Sequence, residues 1–141
     1  MARNSKVDQL QDVQLFASCT AKELTLIARA ADEVTVDEGT DIVTEGSLGH
    51  EFYLILEGRA AVSRGGERVA ELGPGQYFGE LSLLDGAPRN ATITTLVPTE
   101  VLILGTREFA AVLDTTPGVA RKLLTQMAAR LRAADSHAVT H

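Results

Sequence analysis

Residues 52–78 read FYLILEGRAAVSRGGERVAELGPGQYF, and three glycine turns cut them into strand-length pieces. Phe52, Leu54 and Leu56 alternate in the first piece, Ala60 and Val62 in the second, and Val69 marks a third. Between them stand Glu57-Gly58, Gly65-Gly66 and Gly73-Pro74-Gly75. Apolar residues at a period of two, broken by glycine turns at short intervals, predict strands and hairpins. The same texture extends outward in both directions. Upstream, Val34/Val36 and Ile42 are punctuated by Asp37-Glu38-Gly39 and Gly46-Ser47; downstream come Ile93 and Val101/Ile103. Many short strands with recurrent turns imply a sandwich, a barrel or a β-roll.

Helical periods flank this β region. Val7 to Ala31 reads as helical. Within it, Thr20 and Glu23 form a capping box, each side chain able to satisfy an orphan amide at the helix start, and Leu24, Ile27 and Ala28 follow at helical spacing. After Thr106, Phe109, Val112 and Leu113 predict a short helix ending before Pro117. Val119, Leu123, Met127 and Leu131, flanked by Leu124 and Ala128, then predict an amphipathic helix of about four turns. The expected organisation is one domain over 1–141. It comprises a helical segment 1–31, a β region 32–105, C-terminal helices over 106–134, and a tail 135–141 that lacks a core pattern and is expected to fray.

Composition narrows the classes of function. With 141 residues and 45% hydrophobic content, the chain can bury one core and is not of disordered type. No apolar run reaches the roughly 20 residues a membrane helix needs, and no apolar signal core follows the N-terminus. One cysteine, Cys19, cannot make an internal disulfide, so the cytoplasm is the expected compartment. The net charge of −6 is uneven. Residues 1–105 carry 8 Lys/Arg against 16 Asp/Glu, or −8, and residues 106–141 carry 5 against 3, or +2. An acidic body argues against nucleic acid as a direct partner.

Residues 78–93, FGELSLLDGAPRNATI, carry the chemistry. They place a carboxylate, Glu80, and a guanidinium, Arg89, nine positions apart across a glycine turn, a short apolar helix and a Pro-Arg loop. Alone, each residue would be an ordinary surface charge. Together they suit a ligand with a hydroxyl to donate and an anion to be gripped. This stretch resembles the phosphate-binding cassette of cyclic nucleotide-binding domains, with Phe, Gly, Glu, two Leu, Pro, Arg and Ala/Thr at the expected spacings. Further echoes are Leu15-Phe16 before a capped helix, Gly39-x-x-Ile42, Glu45-Gly46, Phe52 to Gly58, and Leu72-Gly73-x-Gly75-x-x-Phe78. They extend the resemblance over roughly residues 10–132.

The resemblance implies a mainly β fold with flanking helices: a double-stranded, jelly-roll-like β-roll with N-terminal helices and a C-terminal helical lid. It assigns Glu80 to a ribose 2′-hydroxyl and Arg89 to a cyclic phosphate. The expected ligand-binding set is Gly79, Glu80, Leu81, Ser82, Arg89, Asn90 and Ala91, with Val69, Leu72, Phe78 and Leu83 as pocket walls. Gly79 would let the phosphate approach the main chain at the start of the short helix, and Arg89 offers a planar fork that lysine lacks. Charge-assisted hydrogen bonds of about 1.5–3 kcal/mol each would make this pair decisive. The expected ligand is cAMP ahead of cGMP, with no cofactor. Asn90 departs from the small residues usual at its position. Gln126 to Leu131 resembles the helix that follows the roll in catabolite-activator-type regulators, but their adenine-reading Thr-Ser pair falls here on Ala134-Asp135.

Other features point to no further chemistry. Cys19 precedes a helix, where a thiolate could be stabilised, but a plain packed cysteine is the expected reading. His50, His137 and His141 lack metal-ligand spacing, and neither a Gly-x-Ser-x-Gly elbow nor a Walker lysine is present. The expectation is a non-catalytic regulatory module that moves its C-terminal helix. A homodimer or a protein partner would use that helix, with no direct nucleic acid and no membrane. The rival expectations are a scaffold roll that no longer binds nucleotide, and the sensor half of a transcription regulator.

Overall fold

The computed structural model describes residues 6–138, with side chains over 7–134. Helix α1 (Lys6–Gln11), a 3-10 turn (Gln14–Phe16) and helix α2 (Ala21–Ala30) precede the first strand. The helical reading of Val7 to Ala31 is therefore corrected to three pieces. The cap itself is the reason: Thr20 is extended (φ −76°, ψ 165°), as an N-cap must be, so no helix can run through it. Both reciprocal bonds of the capping box form, Thr20 N to Glu23 Oε1 at 2.8 Å and Glu23 N to Thr20 Oγ1 at 3.1 Å.

Eight strands run from Asp32 to Gly105: β1 (Asp32–Val36), β2 (Asp41–Val43), β3 (Glu51–Glu57), β4 (Ala60–Arg64), β5 (Glu67–Leu72), β6 (Tyr77–Phe78), β7 (Thr92–Thr95) and β8 (Thr99–Gly105). They form two four-stranded antiparallel sheets ordered β1-β8-β3-β6 and β2-β7-β4-β5. Consecutive strands largely fall in opposite sheets, which is the winding of a β-roll. Helix α3 (Glu80–Asp85) bridges the sheets between β6 and β7, and helices α4 (Thr106–Thr115) and α5 (Pro117–Ala138) complete the chain.

Strand β3, inside the first sheet, is buried on both faces, whereas the edge strand β1 is largely exposed. Phe52, Leu54 and Leu56 of β3 face a core shared with α1, α2, α4 and α5, where Phe52 stacks on Phe109 with ring centroids 4.9 Å apart. Tyr53 and Ile55 face the inside of the roll with Val62, Phe78, Ile93 and Val101. That double burial is why the strand reads as an unbroken apolar run. Val119 and Leu123 of α5 are fully buried and Met127 packs against the same core, but Leu131 is 65% exposed, so the four-residue stripe is only partly a core face. The helix itself runs through Ala138, beyond the expected fraying point at 135, because Ala133 and Ala134 are strong helix formers and no breaker intervenes. Residues 139–141 lie outside those described. Among the described residues no helix is long and apolar enough to cross a membrane.

Candidate functional site

Strand β6 delivers Tyr77 and Phe78 to a sharp turn at Gly79, whose φ of +94° lies in the left-handed region. A Cβ at residue 79 would stand 2.6 Å from Glu51 O and 2.8 Å from Arg89 Nη1. Glycine is needed here for its backbone angle and for this close passage. Helix α3 then opens on Glu80, which is only 3% exposed despite its charge. At six residues, α3 has little macrodipole to offer an anion, so the positive charge of the site rests on arginine.

Arg89 is held through backbone and side chain together. Its N–H donates to Ser47 O and its carbonyl accepts from Gly46 N, both at 2.8 Å. Its guanidinium donates from Nη1 to Gly79 O at 3.0 Å and from Nη2 to Glu51 O at 2.8 Å, and the residue is 6% exposed. Both acceptors are neutral carbonyls, and Arg89 makes no ion pair among the described residues.

A cavity beside Arg89 has a volume of about 360 Å³, within the range of small-molecule sites. Val43, Ile93, Val62 and Ala70 form one cross-strand apolar row over β2, β7, β4 and β5, and Leu72 of β5 and Ala91 just before β7 extend that lining. Polar groups come from Arg64, Glu80, Ser82, Arg89, Asn90 and Arg130. Of the sequence-predicted set, Gly79, Glu80, Leu81, Ser82, Arg89, Asn90 and Ala91 all border this one cavity, as do the walls Leu72 and Phe78.

Two predicted walls do not. Val69 is 50% exposed, and its neighbour Ala70 takes the cavity position. Residues 69 and 72 are three apart on a strand and so point to opposite faces, and a register shift between β4 and β5 at this point sets Val69 outside the pairing. Leu83 turns the other way on α3 and packs against the helix-side core.

Sequence reasoning missed Arg130. Its Nη1 donates to Glu80 Oε2 at 3.0 Å, and its Cζ lies 5.6 Å from the Tyr77 ring centroid. The Tyr77 hydroxyl also bonds Gln126 Oε1. Helix α5 is thereby fastened to β6 and α3 at the cavity edge. Ala134, where the resemblance put a base-reading residue, is exposed, and the Asp135 side chain lies outside those described. Burial raises the Tyr77 hydroxyl above its ordinary value, with Glu80 adding and Arg130 opposing. Burial and the hydrogen bond to Glu51 raise Tyr53 likewise. Cys19 is packed against the helix-side core, and burial pushes its thiol up, away from reactivity.

A profile described as "Cyclic nucleotide-binding domain" matches residues 33–116, the span holding the whole cassette. The chain belongs to the cyclic nucleotide-binding domain family. Across 113 residues it is 35% identical to a cAMP-dependent protein kinase regulatory subunit of Hypocrea atroviridis, covering 80% of this chain and 24% of the relative. The structure of the Thermus thermophilus catabolite activator protein superposes with a TM-score of 0.81 at 34% identity, over 87% of this chain and 60% of that one. The regulatory domain of Toxoplasma gondii PKA, co-crystallised with cAMP, superposes with a TM-score of 0.77 at 27% identity, over 89% of this chain and 49% of that one. The chain thus spans from a quarter to three-fifths of the length of these relatives. The two solved structures share the β-roll with flanking helices found here.

Proposed function

We propose that this chain is a regulatory module that binds a cyclic mononucleotide, cAMP ahead of cGMP, without altering it. The meeting of a buried guanidinium, Arg89, and a buried carboxylate, Glu80, at one apolar-floored cavity carries this reading. Arg89 supplies a positive charge for the cyclic phosphate. Glu80 has acceptor capacity beyond its bond to Arg130 and takes the 2′-hydroxyl. The purine lies on the strip of Val62, Ala70 and Leu72. The relatives named for cAMP put that nucleotide first. Glu80 is the one carboxylate lining the cavity among the described residues and is already held by Arg130, which supports binding without turnover.

Glu80 touches α5 through Arg130, so occupancy of the cavity biases the position of that helix, a shift between two populations. The output is an interaction made by α5 with a protein partner or a second copy of the chain, where Leu124 and Leu131 stand exposed. The acidic body disfavours direct contact with nucleic acid.

Calorimetric titration with cAMP and cGMP, repeated on Arg89→Ala, tests the receptor reading. Binding at micromolar or tighter Kd, weakened at least about tenfold in the variant (about 1.4 kcal/mol), supports it. A protein that binds neither nucleotide, after any co-purified ligand has been removed, is the scaffold roll instead. Asn90 is the sequence feature that favours that second reading.

A further inference from the structure

Val62 and Arg64 of β4 and Ala70 and Leu72 of β5 line the same cavity, so Arg64 stands at the end of the apolar strip. Its Nε donates to the backbone carbonyl of Asn90 at 3.2 Å, which fixes the guanidinium beside the cassette. That is its one hydrogen bond among the described residues, and the residue is exposed, so both terminal nitrogens are open to solvent or to a ligand. Acidic neighbours are at hand. Glu67 is its cross-strand partner, and Glu45 accepts from the adjacent Gly65 N–H. Neither carboxylate comes within ion-pair distance of Arg64.

The three cavity arginines therefore have different tasks. Arg130 is spent on Glu80, and Arg89 is braced by two carbonyls at the cassette. Arg64 is the third, at the end of the β4–β5 strip away from Leu72, the strip on which a flat base would lie. An unpaired planar fork at the edge of a purine platform is a base reader. It matches two adjacent acceptors, and guanine presents O6 and N7 in that arrangement. Adenine presents N7 beside an amino donor, which a guanidinium cannot match.

We propose that Arg64 is a specificity-determining residue of the cavity, donating to the O6/N7 edge of a 6-oxopurine and so narrowing the preference for cAMP over cGMP. The inference rests on the cyclic-mononucleotide reading above and adds which edge of the base is read, and by what.

The test is competitive titration of the intact protein and of Arg64→Ala and Arg64→Lys with cAMP, cGMP and cIMP, the last sharing O6 and N7 with guanine but lacking its amino group. In Arg64→Ala, cGMP and cIMP lose affinity by about tenfold more than cAMP does, in line with the discrimination of a bidentate arginine. Arg64→Lys, which keeps the charge but not the fork, recovers less than half of that gap on a logarithmic scale. Equal losses for all three nucleotides would make Arg64 a general charge and overturn the assignment, as would no loss at all or full rescue by lysine. If cGMP alone responds and cIMP follows cAMP, the reading of O6 and N7 is wrong. Should the unaltered protein bind none of the three, the receptor reading fails first and this assignment with it.

Discussion

Gly49 lies directly beneath the guanidinium of Arg89: a Cβ at residue 49 would stand 1.9 Å from Arg89 Nε and 2.0 Å from Cζ. The tightest approach to the Arg89 guanidinium is thus made by a glycine forty residues away in sequence, in the loop before β3. Gly49→Ala must either displace the guanidinium or shift the loop. We expect it to weaken cAMP binding at least about tenfold and to cost about 1–3 kcal/mol of stability through overpacking. Gly73→Ala is the matched control, since nothing lies within 4 Å of its added Cβ. Paired titration and urea denaturation of the two variants check this, and parity between them would refute the steric argument.

Arg130→Ala should loosen α5. It removes the ion pair to Glu80 and the contact over Tyr77, leaving Gln126 to hold the helix to β6. Arg130 is more than half exposed, so the stability loss should be modest, about 1–2 kcal/mol. Amide exchange over residues 118–134 should speed up in the variant, and cAMP should protect that segment less than in the unaltered protein. Exchange unchanged by saturating cAMP in the unaltered protein would remove α5 from the response.

Ile55 and Val69 separate inward from outward positions. Ile55 is fully buried inside the roll, and its truncation to alanine should cost about 2–5 kcal/mol. Val69→Ala, on the outer face of β5, should stay within about 0.5 kcal/mol and leave nucleotide affinity intact. Chemical denaturation of both variants gives the answer. A large cost at Val69 would put it back on the cavity side.

Alkaline pH should destabilise the fold. Tyr53 and Tyr77 are raised above the ordinary tyrosine value in the folded state, chiefly by burial. Their stabilisation is fully present below the unfolded value of about 10 and is lost as pH climbs through the folded values, because the unfolded chain ionises first. Melting temperature should therefore fall as pH rises above about 10, and Tyr53→Phe should flatten that decline. A melting temperature level between pH 9 and 11 would contradict the burial of both hydroxyls.

The parts of the molecule legible in sequence are those set by local rules. The Thr20–Glu23 box, the apolar runs of β3 and β8, and the cassette itself each declare themselves within a dozen residues. Where the local reading fails, a local rule is not carried through. The capping box reads correctly as a helix start, but its consequence, a break before Thr20, is not drawn, and strand alternation puts Ala70, not Val69, beside Leu72. The pairings that build the site were hidden for another reason. Arg130 meets Glu80 across 50 positions, and Arg89 meets Gly49 across 40, with only the winding of the roll to bring them together. No periodicity encodes such contacts. The need for glycine at 79 was legible in kind but not in cause: its missing Cβ makes way for Glu51 O and Arg89.

Strand β3 supplies alternate side chains to two separate cores, Phe52, Leu54 and Leu56 on one side and Tyr53 and Ile55 on the other. Neither core can melt while that strand stays in place, so helices and roll should denature as one cooperative unit with no half-folded species. The chain contains no tryptophan, and its two tyrosines are divided between the cores, Tyr53 inside the roll and Tyr77 on the helix side. Their near-ultraviolet signals and the far-ultraviolet signal of the helices should trace a single superimposable transition. A chain built this way has no route to unfold its helices separately from its roll.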